Sequence, residues 1–269
     1  MSLAEYESYV DIKILKSLRK KFPNHYGILY ELGRYYFYTN SRKALHYFFQ
    51  AKELSAEQDI DVYLIIAKLY YHLGKYARAA HYYELAEKLG TFPDQHLHLA
   101  AWSFQEIDQY AKAVHFYEQF LKNCPEHVDA WVNTGFCYGH LNLADKALEC
   151  SLKAVQLSPN HEIALLNTGF HFWIEQDLAK AYSYTDMVLR INPNYDYALM
   201  NMGHIYLCKE SPEKALEYYQ KSALQFEDVK EFVRLFEDDY KYMVVYGISE
   251  DDFFRIRDLL VDFWHKKKH

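Results

Sequence analysis

The chain has 269 residues, a net charge of −7 and a pI of about 6.0. With 51% hydrophobic and 25% charged residues it is globular rather than disordered, and it lacks the basic balance of a nucleic-acid binder. Only 9 glycines and 6 prolines argue for long helices over twisted sheets with many tight turns. In chain order, the first predicted element is an N-terminal capping helix within residues 1–22. Leu3, Tyr6, Val10, Ile14 and Leu18 fall on one stripe of it. Met1 to Tyr6 shows no basic region followed by an apolar stretch, and no run is long enough to span a bilayer, so a cytoplasmic protein without a membrane segment is expected. Cys124, Cys137, Cys150 and Cys208 have no CxxC spacing and read as buried free thiols.

The next two hundred residues repeat. Pro125, Pro159 and Pro193 are 34 apart, and so are Gly135, Gly169 and Gly203. Stepping backwards from Gly135 lands on Ala101, Ala67 and Gly33, all small. Twelve residues after this rung stand Ala79, Ala113, Ala147, Ala181 and Ala215, with Ala44 one residue early in the first repeat. Three after it stand Tyr36, Tyr70, Phe104, Tyr138, Phe172 and Tyr206. This period suits two helices of about 12 to 14 residues and two turns. Small residues belong where helices cross closely, aromatics where one pair must fill the gap to the next, and proline where the second helix ends.

The pattern resembles the tetratricopeptide repeat family. It is clearest in Ala130-Trp131-Val132-Asn133-Thr134-Gly135-Phe136-Cys137-Tyr138, in Lys146-Ala147-Leu148, and in the turn Leu73-Gly74-Lys75-Tyr76. Six repeats are expected, at residues 26–58, 60–93, 94–127, 128–161, 162–195 and 196–227. The resemblance implies an all-α, right-handed α-solenoid of helix–turn–helix pairs with helical caps, and a concave groove lined mainly by the first helix of each pair.

Residues 228–269 lose the register and read as a two-helix C-terminal cap. Val229, Phe232, Val233, Phe236, Tyr240, Met243 and Val244 form one helical stripe, which Gly247 stops. Ser249 then caps a second helix carrying Phe253, Ile256, Leu260 and Phe263. Exposure of Phe254 and Trp264 would make this cap a homodimer surface.

Groove positions lie at −6, −3, +1, +4 and +5 from the glycine rung. From these the candidate ligand contacts are Tyr30, Arg34, Phe37, Lys68 and Tyr71 in the first two repeats. His98, Trp102, Gln105 and Phe136 follow in the third and fourth. Leu166, Phe170, Trp173, Met200 and His204 complete the set. A face turned only to water would be polar, and this one is not. Three readings stay open: a groove for a peptide with apolar anchors and acidic residues near Arg34 and Lys68, tighter packing between repeats, or a groove filled by the protein's own terminal helix. The family's clamp for acidic chaperone C-termini needs Asn directly after the rung in two consecutive repeats. Arg34 and Lys68 stand there instead, so that clamp is not expected.

No P-loop, GxGxxG, GxSxG or HExxH occurs, and the 14 histidines show no zinc spacing. His72, His98, His140 and His204 are candidates for a pH-sensitive groove wall. The expected function is a non-catalytic scaffold, adaptor or chaperone for a protein partner, with no cofactor, metal, nucleic acid or membrane. The alternative is a regulator or enzyme with a small-ligand site in the groove, which would show as a cluster of ionisable groups with shifted pKa values.

Overall fold

A computed structural model describes residues 11–55 and 59–268. The described residues form helices and turns, with no strand among them. The chain divides into two compact units, one ending at Pro125 and one beginning at Glu126. The first contains α1 (Ile12–Lys21), α2 (Tyr26–Tyr36), α3 (Ser41–Leu54), α4 (Ile60–His72), α5 (Tyr76–Glu87), α6 (Asp94–Gln105) and α7 (Tyr110–Asn123). The second contains α8 (Val128–His140), α9 (Ala144–Leu157), α10 (Glu162–Ile174), α11 (Leu178–Ile191), α12 (Asp196–Cys208) and α13 (Pro212–Ala223). It closes with α14 (Val229–Asp238), the single turn α15 (Tyr240–Met243), a 3-10 turn at Val244–Tyr246, and α16 (Glu250–Lys268). Within each unit consecutive helices pack as pairs, and each pair packs on the next, as a helical-repeat stack requires.

The small rung sits at the crossing inside each pair. A Cβ added at Gly203 would stand 2.4 Å from the Tyr219 ring, and one at Gly169 would stand 2.7 Å from Thr185 Oγ1. The alanine rung is fully buried in all six repeats. The aromatic rung has a role that periodicity alone does not convey. One face of each ring carries the cation that precedes the alanine rung. In the first unit Lys43, Arg78 and Lys112 lie 5.1, 5.6 and 5.3 Å from the centroids of Tyr36, Tyr70 and Phe104. In the second, Lys146, Lys180 and Lys214 lie 5.0, 4.7 and 5.3 Å from Tyr138, Phe172 and Tyr206. A parallel ring from the second helix stacks on the rung: Tyr47, Tyr82, Phe116, Tyr184 and Tyr218, with Cys150 at this position in the fourth repeat. Each cation–ring contact contributes about 0.5–1 kcal/mol at such exposed sites.

The turn inside each pair repeats as well. Gly74, Asp108, Asn142, Gln176 and Glu210 all have φ between 56° and 65°. Only the first is glycine, so four side chains sit in the left-handed region, at a cost of roughly 1–2 kcal/mol each for residues other than Gly, Asn and Asp.

Both ends depart from the sequence expectation. In α1 it is Leu15, not Ile14, that packs on Ile28 and Leu32, while Ile14 is exposed. Leu3, Tyr6 and Val10 lie outside the described residues. At the other end the continuous stripe from Val229 to Val244 is broken at Asp239, and Val244 faces outward. Phe232, Phe236, Met243, Phe253, Leu260 and Trp264 join the core of the last repeats. Trp264 is therefore buried, and half-buried Phe254 is covered by the Arg257 guanidinium, so the exposed rings expected of a dimer surface are absent at these positions. Ser249 caps α16 as expected, its Oγ accepting from the Asp252 N–H at 3.1 Å.

Candidate functional site: two clefts and a covered face

In the first unit α1, α2, α4 and the start of α6 enclose a cleft of about 650 Å³. Four of the expected groove residues meet there. Tyr30 and Arg34 on α2 and Phe37 at its C-cap follow one another at helical spacing, and Lys68 comes from α4. Leu64, Ile65 and Leu15 supply the apolar part. Arg34 is engaged, its Nη1 donating to Glu31 at 3.1 Å. Lys68 has no ion-pair partner among the described residues, and its Nζ lies 5.8 Å from the Phe37 centroid. His96 closes the cleft from α6. It is 6% exposed, its Nδ1 has no hydrogen-bond partner, and burial, then the Lys68 charge, push its pKa down to about 4.

In the second unit a cleft of about 600 Å³ lies between α8, α10 and the residues around Asp239. Phe136 and Phe170 both line it, and Phe136 is 42% exposed with His140 in edge contact at 4.4 Å. His171 is its buried member. Nδ1 of that ring is unpartnered, and burial pushes its pKa down to about 4.

The rest of the expected face lines neither of these two clefts. Trp173, Met200 and His204 are 1%, 2% and 0% exposed, so these three expected groove residues are covered in this structure. The cause is the chain itself. Tyr242 meets the rings of Phe170 and Trp173 at 5.7 and 5.9 Å, and Tyr246 stacks parallel to Trp173 at 6.4 Å. The Tyr246 hydroxyl donates to the Trp173 carbonyl. His204 stacks on the same indole at 4.9 Å and is bonded at both nitrogens, to the Tyr219 hydroxyl at 2.8 Å and to Asp239 Oδ2 at 3.1 Å. A carboxylate can only accept, so Nε2–H donates to Asp239, and the Tyr219 hydroxyl at Nδ1 stays protonated because burial raises its pKa well above the ordinary value.

His98 and Gln105 also turn away, towards the second helix of their own pair. The His98 ring packs on Tyr117 and Phe120 at 5.8 and 5.2 Å, and Gln105 Oε1 accepts from the Tyr117 hydroxyl at 3.1 Å. Leu166 packs on the cluster of Leu165, Val188 and Ala198. Tyr71 is half-buried beside Tyr76, and half-buried Trp102 lines neither cleft. The missed cleft residues carry a signal in part. Asp61 and Gln95 stand at −6, and Tyr38 and Ile174 at +5, two groove rungs that supply no candidate ligand contact; His140, also at +5, lines the second cleft as a groove-wall histidine should. Asp238 to Tyr242 carry none, because they lie outside the repeat register.

Of the other histidines, His127 and His161 cap α8 and α10 through Nδ1. Among the described residues no group of three His, Cys, Asp or Glu could hold a metal ion, and no helix is long and apolar enough to cross a membrane. The cysteines are free, and burial pushes the Cys137 and Cys208 thiols up to about 12 and 11.

Comparison with known proteins agrees with this architecture. The tetratricopeptide repeat family matches at residues 60–89 and 98–162. No curated protein matches the chain. Among solved structures, YrrB, described as a TPR protein with an unusual peptide-binding site, is similar with a TM-score of 0.63 at 18% identity, over 69% of this chain and 95% of its own. PilF of Pseudomonas aeruginosa is similar with a TM-score of 0.56 at 16% identity, over 79% and 97%. MamA AMB-1 gives 0.52 at 16% identity, over 61% and 89%. The chain carries tetratricopeptide repeats at these residues, and such repeats serve generally as protein-interaction scaffolds.

Proposed function

We propose that this protein is a non-catalytic adaptor or chaperone whose first unit receives a peptide segment pairing an apolar anchor with a carboxylate. The observation that carries this reading is Lys68, a cation without an ion-pair partner among the described residues, set in a cleft with Tyr30, Phe37 and Leu64. An apolar side chain fills the space beside the rings, and a carboxylate answers the lysine charge. YrrB is described as having a peptide-binding site, which supports a peptide as the ligand class. The small-ligand enzyme reading finds less support. The perturbed histidines His96 and His171 stand in separate clefts and are displaced chiefly by burial, as is Tyr30, whose pKa is raised in the first cleft.

The test is to pan a displayed library of twelve-residue peptides against the full chain and measure the enriched peptides by anisotropy. Peptides with Asp or Glu beside an aromatic or aliphatic residue are expected, and Lys68→Glu should lower their affinity at least ten-fold. Enriched peptides without acidic residues, or affinities unmoved by Lys68→Glu, would refute the assignment.

A further inference from the structure

The groove face of the last two repeats is covered by a segment that is thin, short and built differently from the helices on either side of it. α14 and α16 enter the core through Phe232, Phe236, Phe253 and Leu260, each fully buried. Between them, residues 239–246 contribute only one helical turn and one 3-10 turn, and the segment ends at Gly247 in the left-handed region with φ of 80°. Val244 and Val245 on its outer side are 52% and 60% exposed, so the segment is a single layer with solvent beyond it. Its inner side makes the contacts a bound peptide would make. Asp239 accepts from His204, Tyr242 meets Phe170 and Trp173 edge-on, and Tyr246 stacks on Trp173 and donates to its carbonyl. Phe170, Trp173 and His204 stand at the +1 and +4 groove rungs, where the repeat pattern places ligand contacts.

We propose that residues 239–246 are a resident intramolecular ligand, and that a partner segment carrying the same pattern, an acidic residue with tyrosines three and seven positions later, gains this face by displacing them. The anchors at both ends make displacement local: α14 and α16 keep Phe232, Phe236 and Leu260 in the core while the strap between them lifts, giving up the Tyr240 contact to Phe253. Met243, fully buried on the strap, keeps the closed state as the resting one. The inference is independent of the first-unit cleft, since every residue in it belongs to the second unit.

The probe is a fluorescein-labelled peptide of residues 238–247, added in trans to the full chain and followed by anisotropy. Tyr242→Ala with Tyr246→Ala should bind it at least ten-fold more tightly than the parent chain. Tyr246→Phe, which loses only the hydroxyl contact, should gain two- to three-fold, and it serves as the readout if the double variant loses its helical circular dichroism. Folded variants that bind the peptide no better than the parent chain would overturn the proposal. The same peptide with Tyr242 and Tyr246 replaced by Ala should not bind. Equal binding of that control would also overturn it.

Discussion

Two regions built on one repeat pattern end in opposite states. In the first unit the +1 and +4 positions of the leading helix, Arg34 and Phe37, line an open cleft with Lys68. In the second unit Trp173 at the +4 rung lies beneath Tyr242 and Tyr246, while Phe170 at the +1 rung meets Tyr242 at the edge of a second cleft. The difference teaches that a rung position specifies a direction, and the chain that arrives afterwards specifies what the side chain meets. A row of aromatics in a repeat array can therefore line an open cleft in one unit and seat a cap in another.

The largest expected effect comes from dismantling the roof at its anchor. Phe236 is fully buried among Tyr219, Phe232 and Phe253, with ring distances of 5.0, 5.9 and 4.5 Å. Phe236→Ala should cost about 3–5 kcal/mol in urea denaturation. A loss below about 1 kcal/mol would mean that the cap is not part of the second unit's core.

A smaller effect separates buried from open histidines by pH. His171 has its pKa lowered to about 4 by burial, so its folded form resists protonation. Its contribution is fully present above the unfolded value near 6.5 and is lost as pH falls from there to about 4. Between pH 7.5 and pH 5 the loss is on the order of 2 kcal/mol. His171→Leu should remove this part of the dependence and leave the part due to His96, whose pKa is lowered alike, and an unchanged slope would place the titration elsewhere.

Within the open cleft the two cations should differ. Lys68→Met should weaken acidic-peptide binding about ten-fold, equivalent to about 1.4 kcal/mol. Arg34 is tied to Glu31 and half exposed, so Arg34→Ala should cost about 0.5 kcal/mol or less. Equal losses from both would show that the Glu31 pair does not hold Arg34 back.

The smallest effects lie in the turns. Gln176→Gly and Glu210→Gly relieve left-handed backbone at φ of 65° and 56° and should each stabilise the chain by about 0.5–1 kcal/mol. Loss of stability on either change would assign those side chains a contact that outweighs the strain.

The repeat register was legible because close helix crossings tolerate only small residues, so Gly169 and Gly203 mark the same place in successive pairs. The cation on each aromatic ring was also written in the chain, one residue before the alanine rung, from Lys43 to Lys214. It reads as a solvated charge until α-helical geometry brings it over the ring. His98 and Gln105 could not be placed by rung alone, because a side chain near the edge of the stripe can turn to either helix. Here Tyr117 offered a ring to one and a hydroxyl to the other.

Local chemistry written every 34 residues therefore determined the helices, their pairing and the face each presents, since these depend on neighbours close in sequence. Tertiary structure alone decided which part of that face stays open. The roof over Trp173 joins residues 73 positions apart, from Trp173 to Tyr246, and the Asp239 bond to His204 spans 35. Such contacts follow from where the chain returns in space, which no period in the sequence encodes.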